Sequence, residues 1–455
     1  MRSTEMDAIL TGFFGHDDMK DCFLGLLLIA YASSVYTADL VEVYALAEDN
    51  DPQFRQVRAA RLATLESRPQ AFSQLLPSIN LSANTRKNDQ DIKSSGGSFG
   101  SSGGVEFNSH GYSLSATQPL FRRDRYIALE QSDSLIRQAE AELTTAQQDL
   151  IIRVAERYFT VLGSMDNLEF AQAEKKSLSR QLDQAKQRFE VGLTAITDVQ
   201  EAQAGYDRAV AQEIQAENLI DDAHEALREI TGDYISVFSP LGKSMPLVTP
   251  EPAVIETWTT VALEQNPQIL TARYAAETAQ KEIKLQYAGH LPTLDLVADR
   301  NYASSGGRFG GIKQHSTSVG LELNIPLYEG GLVSSQTREA AQRYNESMEK
   351  LEQARRSAQR LTRESYRGVI SGISQVKALQ QALVSSETAL QATQAGFDVG
   401  TRTAVDVVAS ERATFGSRRD YARERYNYIL NILRLKQAAG TLSPDDLRQM
   451  NNWLN

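Results

Sequence analysis

Two stretches of this chain contain no proline. None lies between Pro119 and Pro240, and none between Pro326 and Pro444. Proline removes a helical hydrogen bond and clashes with the preceding turn, so two gaps of more than about a hundred residues each point to long uninterrupted helices. Within the gaps the apolar positions keep a three-four rhythm. The first carries Leu135, Ala139, Leu143, Ala146, Leu150, Val154, Tyr158 and Val161. The second carries Met348, Leu351, Ala354, Ala358, Leu361, Val369, Ile373, Val376, Leu379 and Leu383. A spacing near 3.5 sustained over many turns predicts coiled-coil packing, and the many Ala, Ser and Gly residues along it predict close helix approach.

The two stretches are copies of one unit. Gln187-Arg-Phe-Glu-Val-Gly-Leu-Thr-Ala-Ile-Thr-Asp-Val199 is echoed by Gln394-Ala-Gly-Phe-Asp-Val-Gly-Thr-Arg-Thr-Ala-Val-Asp-Val-Val408, with Phe189 matching Phe397, Gly192 matching Gly400 and Asp198 matching Asp406 at one offset. Each glycine marks a turn between a long helix and a shorter return helix. The returns stop at Gly232 and Gly440, where glycine supplies the C-terminal cap. The spacing predicts helical hairpins over 124–231 and 331–439.

Each half also holds a pair of strands before its hairpin. Pro77 opens an alternation in which Ile79, Leu81, Ala83 and Thr85 face away from Ser, Asn and Arg, and Pro119 closes its partner. Pro292 opens Thr293-Leu-Asp-Leu-Val-Ala-Asp299, and Ser318–Ile325 follows, closed by Pro326. Period-two alternation suits strands with one apolar and one polar face, predicted at about 77–87, 111–119, 292–302 and 316–326. The Gly/Ser-rich loops between them, Ser94–Gly104 and Ala303–Gly311, are expected to be exposed and mobile. Strands of about ten residues match the thickness of a membrane barrel. Four strands cannot close a barrel and open edges are not tolerated in lipid, so membrane strands here require an oligomer. A dimer gives eight strands and a trimer twelve; the helices favour the larger ring, because a packed eight-strand barrel has little lumen.

The N-terminus reads as a leader. Met19-Lys20 precedes the apolar run Phe23–Ala32 and then small and polar residues to Ala38, the order of a secretory signal. We expect 1–38 to be removed, with 1–18 upstream of the true start and 19–38 the signal peptide. The single cysteine, Cys22, lies in this segment, so disulfides and cysteine-bound metals are not expected afterwards. The remaining chain divides into a first repeat over 39–232, a linker over 233–257, a second repeat over 258–440 and a C-terminal segment over 441–455. A net charge of -11 without a basic segment argues against nucleic acid. His110, His224 and His315 are scattered, and no residues have metal-ligand spacing. No nucleophile is set with a base and no cofactor loop is evident, so neither a cofactor nor an enzymatic activity is expected.

These residues resemble the TolC family of outer-membrane channel proteins. The motifs are Ile196-Thr-Asp-Val-Gln200, Gly289-His-Leu-Pro-Thr-Leu-Asp-Leu296, Ile325-Pro-Leu-Tyr-Glu-Gly-Gly-Leu-Val333, Val399-Gly-Thr-Arg-Thr403 with Val405-Asp-Val407, Arg425-Tyr-Asn-Tyr428 and Gly440-Thr-Leu-Ser443. They run in the family's order from about Asp39 to Asn455. The resemblance implies a mostly α fold with a small membrane β-barrel portion. It also implies a homotrimeric α/β-barrel channel with four strands per chain and a coiled-coil tunnel reaching into the periplasm of a Gram-negative bacterium. The channel would be a passive exit duct for drug efflux or type I protein secretion, partnered by a periplasmic adaptor and an inner-membrane pump or ABC exporter.

By the same resemblance, Asp406 falls on a ring of aspartates at the pore constriction. A second ring position carries Ala409, so the charge there is expected to be thinner. Arg402 matches an arginine that ties the moving hairpin to Thr197 and Asp198 on the neighbouring one. The tyrosine that often joins this network is replaced by Phe397, so that link is expected to be absent. The turns Val191, Gly192, Leu193 and Val399, Gly400, Thr401 match the tips that meet the adaptor. The competing reading is a periplasmic coiled-coil adaptor with no pore; it accounts for the helices but leaves the four amphipathic strands unexplained.

Overall fold

The computed structural model describes residues 38–92, 103–242, 245–307 and 310–454. The expected leader, Cys22 and most of the Ser94–Gly104 loop lie outside the described residues. Three helices come first: α1 (Leu40–Asn50), α2 (Pro52–Leu65) and α3 (Ser67–Ser73). Strands β1 (Ser78–Ile92) and β2 (Gly103–Phe121) lead into α4 (Arg123–Glu190) and its return α5 (Ile196–Thr231). The pattern then repeats with α6 (Ile255–Gln265), α7 (Pro267–Tyr287), β3 (Thr293–Ser305), β4 (Ile312–Asn324), α8 (Leu332–Asp398) and α9 (Ala404–Ala439). A last helix, α10, spans Pro444–Asn451. With 68 and 67 residues, α4 and α8 are each about 100 Å long.

The return helices stop halfway up the long ones, and shorter helices continue their lines. Gly232, which caps α5, lies beside Asn50 at the α1–α2 junction; Gly440, which caps α9, lies against Gln265 and Asn266 at the α6–α7 junction. At both junctions an Asp or Asn side chain caps the next helix and proline occupies its first turn: Asp51-Pro52 for α2 and Asn266-Pro267 for α7. The Asp51 carboxylate accepts from the Phe54 amide at 2.8 Å, and the Asn266 side chain accepts from the Gln268 amide at 2.9 Å. The Asp/Asn-Pro-Gln pair is a second repeat signature in the sequence. It carries the four-helix cross-section past the point where α5 and α9 end.

Below the waist the helices pack on small residues. Ala202, Ala209, Ala216, Ala223 and Ile230, all buried on α5, form an unbroken seven-residue repeat, which imposes left-handed supercoiling. The waist holds the main apolar core, where Leu150, Val154 and Tyr158 of α4 meet Leu40 and Val43 of α1, Phe238 of the linker, and Tyr428 and Leu433 of α9. The Tyr158 hydroxyl donates to the Ser239 carbonyl at 2.9 Å and thereby ties linker to helix. Arg153 pairs with the buried carboxylate of Asp51 beneath the α2 cap.

The strands form one antiparallel sheet in the order β1-β2-β3-β4, so the two repeats join through β2 and β3. The strands are longer than their alternation predicts. β1 and β2 stay paired out to Ile92 opposite Gly103, because the backbone ladder does not require apolar side chains in its distal, polar part. Pro119 does not end β2. It sits at an irregularity in register, and pairing resumes at Phe121 opposite Leu294, in keeping with the tolerance of bulges for proline. Arg122, just beyond, donates from Nε to Asp295 of β3 at 3.1 Å, locking the base of the sheet to the start of α4.

Candidate functional site

Directly opposed residues on antiparallel strands share a face, so the register sorts the sheet. One face carries Ile79, Leu81 and Ala83 of β1, opposite Ala116, Leu114 and Tyr112 of β2. It continues through Leu294, Leu296 and Ala298 of β3, opposite Leu323, Leu321 and Val319 of β4. The other face carries Asn80, Ser82, Ser113, Ser115, Asp299, Asn301, Ser316 and Ser318. Beyond the apolar band, Tyr302 packs between Tyr112 and His315, with ring centroids 5.3 and 4.7 Å away. An apolar band bordered by aromatic side chains, backed by a polar face, is the arrangement of a lipid-exposed barrel wall around a wet lumen. Leu81, Val319 and Leu321 are about 70 % exposed in the single chain, and β1 and β4 are unpaired edges. Both facts leave apolar surface and two strand edges uncovered in the single chain.

The opposite end of the molecule is formed by the two hairpin turns. Gly192 at φ 74° and Gly400 at φ 77° stand in the left-handed region. After each long helix the chain closes with paired backbone bonds, Gly192 to Phe189 and Leu193 to Arg188 in the first, Gly400 to Phe397 and Thr401 to Gly396 in the second. A Cβ on either glycine would meet nothing within 4 Å. Glycine is required there by φ, not by crowding within the chain. The tips are apolar and bare: Val191, Leu193 and Val399 are 68, 77 and 75 % exposed.

The repeat-related carboxylates Asp198 and Asp406 both occupy the third position of their return helices. Thr403 caps α9 and forms a reciprocal box with Asp406, whose carboxylate accepts from the Thr403 amide and hydroxyl, each at 2.9 Å. These two bonds, with the Arg402 charge nearby, hold the Asp406 carboxyl below the usual aspartate value. In the first hairpin the capping position is Ala195, which has no side-chain oxygen, and Asp198 accepts instead from the Thr194 hydroxyl. Asp198 and Arg402 line one groove between the hairpins, but within the chain they form no ion pair, and Thr197 is exposed. Gly396 makes room for Arg402; a Cβ there would stand 2.8 Å from its Cγ.

The same groove holds a contact that the sequence reading did not anticipate. The Arg188 guanidinium lies 4.4 Å from the centroid of the Phe397 ring. Phe397 lacks the expected hydroxyl, yet it still links the second hairpin to the first through its π face. Higher up, α4 meets α9 through buried polar groups. The Ser177 hydroxyl donates to Glu411 at 2.6 Å, and Arg412 stands 4.0 Å from Glu174. Both glutamates are at most 4 % exposed, and burial pushes both carboxyls above the usual range, against Ser177 and Gln181 at Glu411 and against Arg419 and Arg412 at Glu174. Their acidic character is visible in the sequence, but their burial is not.

Comparison with known proteins covers both repeats. The family model described as outer membrane efflux protein matches residues 43–233 and 258–441, the two repeats in turn. Over 438 residues the chain is 38 % identical to outer membrane protein TolC of Vibrio cholerae, covering 95 % of this chain and 97 % of that protein. It is 28 % identical to the alkaline protease secretion protein AprF of Pseudomonas aeruginosa, covering 93 and 89 %. The fold matches the crystal structure of the Campylobacter jejuni CmeC outer membrane channel with a TM-score of 0.75 at 16 % identity, covering 91 and 90 %. The chain therefore belongs to the family of outer membrane efflux proteins and is an outer-membrane channel, not a periplasmic adaptor.

Proposed function

We propose that three copies of this chain form a passive exit duct, used in efflux or type I secretion, gated where the helical hairpins converge. The observation that carries this reading is the sheet: four strands with one apolar and one polar face and an unpaired edge on each side. Open edges are not stable in lipid, and joining β4 of one copy to β1 of the next gives a closed twelve-strand barrel. Four helices at each level of one chain become a twelve-helix tunnel on the same axis. Relatives include an alkaline protease secretion protein, which supports a protein-export role beside efflux. Native mass spectrometry in detergent should give a trimer; monomers or dimers alone would refute the assembly.

At the far end, the bare tips Val191–Leu193 and Val399–Thr401 are the docking points for a periplasmic adaptor, which connects the duct to an inner-membrane pump or ABC exporter. Their apolar exposure supports this assignment. Arg402 of one hairpin reaches Asp198 and Thr197 on the neighbouring one in the closed state, a charge-assisted link. Three copies of Asp406 ring the constriction. Site-specific crosslinking from residue 193 or 399 should capture the adaptor in intact cells, and capture from residue 62 or 72 on the upper helices, but not from the tips, would overturn the assignment.

A further inference from the structure

The outward face of the sheet has a feature beyond its apolar band that the channel reading does not use. Two residues past Ala298 on β3 stands Arg300, opposite Leu114 and Thr317; the next outward row is Tyr302, opposite Tyr112 and His315; the next is Ser304, opposite His110 and Lys313. Arg300, His110, His315 and Lys313 are thus on one face, within three rows and three strands, and all four are exposed. Rows on one face are about 7 Å apart and strands about 4.8 Å apart, so the four cationic or imidazole groups border an area of about 14 Å by about 10 Å, into which their long side chains reach. Tyr302 sits at its centre, with ring centroids 4.7 Å from His315 and 6.1 Å from His110.

We propose that this patch binds the phosphate of an anionic lipid of the outer leaflet, whose acyl chains lie along Leu296, Ala298, Val319 and Leu321 below it. The proposal rests on the reading that this face meets lipid. Charge complementarity carries it. On the β3–β4 half of this face there is no acidic side chain among the described residues, and Asp299 and Glu322 point to the polar face by register; on the β1–β2 half, Glu106 and Asp89 lie two rows and Asp91 three rows beyond His110. The ion pairs made by the described strands are Lys87–Glu106 and Arg122–Asp295, and neither Arg300 nor Lys313 belongs to one. Arg300 is next to the apolar band, and a guanidinium in that position is stable where its planar fork meets a phosphate. A long basic side chain also reaches outward from an apolar surface to the interface. The tyrosine rings fit the same boundary, where aromatic side chains concentrate.

The test uses the full-length trimer, purified in a mild detergent and stripped of lipid. Native mass spectrometry then counts lipids retained from micelles doped with phosphatidic acid or with the matching diacylglycerol. The parent protein should retain phosphatidic acid and not diacylglycerol. Arg300→Gln with Lys313→Gln should weaken retention at least about tenfold, the change expected when one charge-assisted hydrogen bond is lost. Equal retention by variant and parent would overturn the proposal, as would equal retention of diacylglycerol, which would mean that only acyl chains are recognised. Full displacement by millimolar inorganic phosphate would show a free-anion site and likewise overturn it. Pore conductance in planar bilayers is measured on the same samples. A parent protein that forms no pore would count against the channel assembly itself, whereas normal pores with unchanged lipid retention count against the lipid site alone.

Discussion

The Arg188–Phe397 contact should help to hold the tunnel closed, and its contribution can be worked from its geometry. The guanidinium is 4.4 Å from the ring centroid, inside the range of about 6 Å for a cation–π interaction. Both residues are half-buried, so each contact contributes about 0.5–1 kcal/mol, the figure for sites still reached by water. In the proposed trimer three copies restrain one aperture. If the hairpins open together, the closed form gains about 1.5–3 kcal/mol in all, or between about tenfold and about a hundredfold in the closed-to-open ratio. Arg188→Gln keeps most of the side-chain length and removes the charge. Phe397→Leu keeps an apolar group and removes the π face.

Single-channel recording in planar bilayers reads the result directly. Each variant should raise the open fraction by a factor in that range, and the double variant should add little to either. Residues acting through one shared contact are non-additive in this way, while independent ones add. Open fractions unchanged in Phe397→Leu, or effects that multiply in the double variant, would refute the assignment of this contact to the gate.

Four further outcomes follow from the same geometry. Arg402→Ser should raise single-channel conductance, because in the proposed closed state it would leave the carboxylate of the neighbouring hairpin uncompensated; unchanged conductance would show that other contacts hold the gate. Asp406→Ala should abolish block by multivalent cations such as hexamminecobalt applied from the periplasmic side, and block as strong as in the parent would place the constriction charge elsewhere. Gly440→Ala should lower the thermal stability of the waist by at least about 1–2 kcal/mol, since the left-handed backbone alone costs that much and the new Cβ would stand 2.6 Å from the Gln265 carbonyl oxygen; Gly400→Ala, with open space around it, should cost only the backbone part. Burial raises the folded carboxyl of Glu411, so its contribution to stability is full below the ordinary glutamate value of 4.5 and is lost as pH rises through the raised value. Glu411→Gln should therefore flatten the pH dependence of trimer melting above pH 4.5, and an unchanged slope would exonerate this residue.

The long helices were legible because two independent signals agreed, the proline gaps and the three-four rhythm. The hairpin ends were legible because Gly192 and Gly400 recur at one offset, and a left-handed turn is a demand that few residues other than glycine meet. The sheet was less so. Alternation marked the apolar band, but the outer parts of β1 and β2 are mostly polar residues and glycine, with Ile92, Val105 and Phe107 among them, and backbone pairing identifies them as strand. The Asp51-Pro52 and Asn266-Pro267 junctions are a repeated cap signal in the sequence, but each taken alone reads as an ordinary helix start. The Arg188–Phe397 contact joins residues on different hairpins, and no local pattern encodes that. Its repeat-related ring, Phe189, is 42 % exposed at the tip, so the internal symmetry itself suggests the wrong environment for Phe397.

That broken symmetry also bears on how the proposed gate would choose its partners. The two repeats place an aspartate at the same helical position, but they satisfy it differently. Asp406 is engaged by the amide and the hydroxyl of its own capping threonine, which leaves its carboxylate less demand for an outside donor. Asp198 follows an alanine cap and is met by the hydroxyl of Thr194. A carboxylate oxygen accepts more than one hydrogen bond, so Asp198 keeps capacity for a guanidinium. Arg402 immediately precedes Thr403, on the hairpin whose own aspartate is already bound, and among the described residues its guanidinium makes no ion pair within the chain. A duplicated hairpin with identical caps would offer Arg402 two equivalent acceptors, one of them on its own helix. With Ala195 at one cap and Thr403 at the other, that equivalence is absent. In the proposed trimer, this difference would make one hairpin the donor and the other the acceptor of the Arg402–Asp198 link.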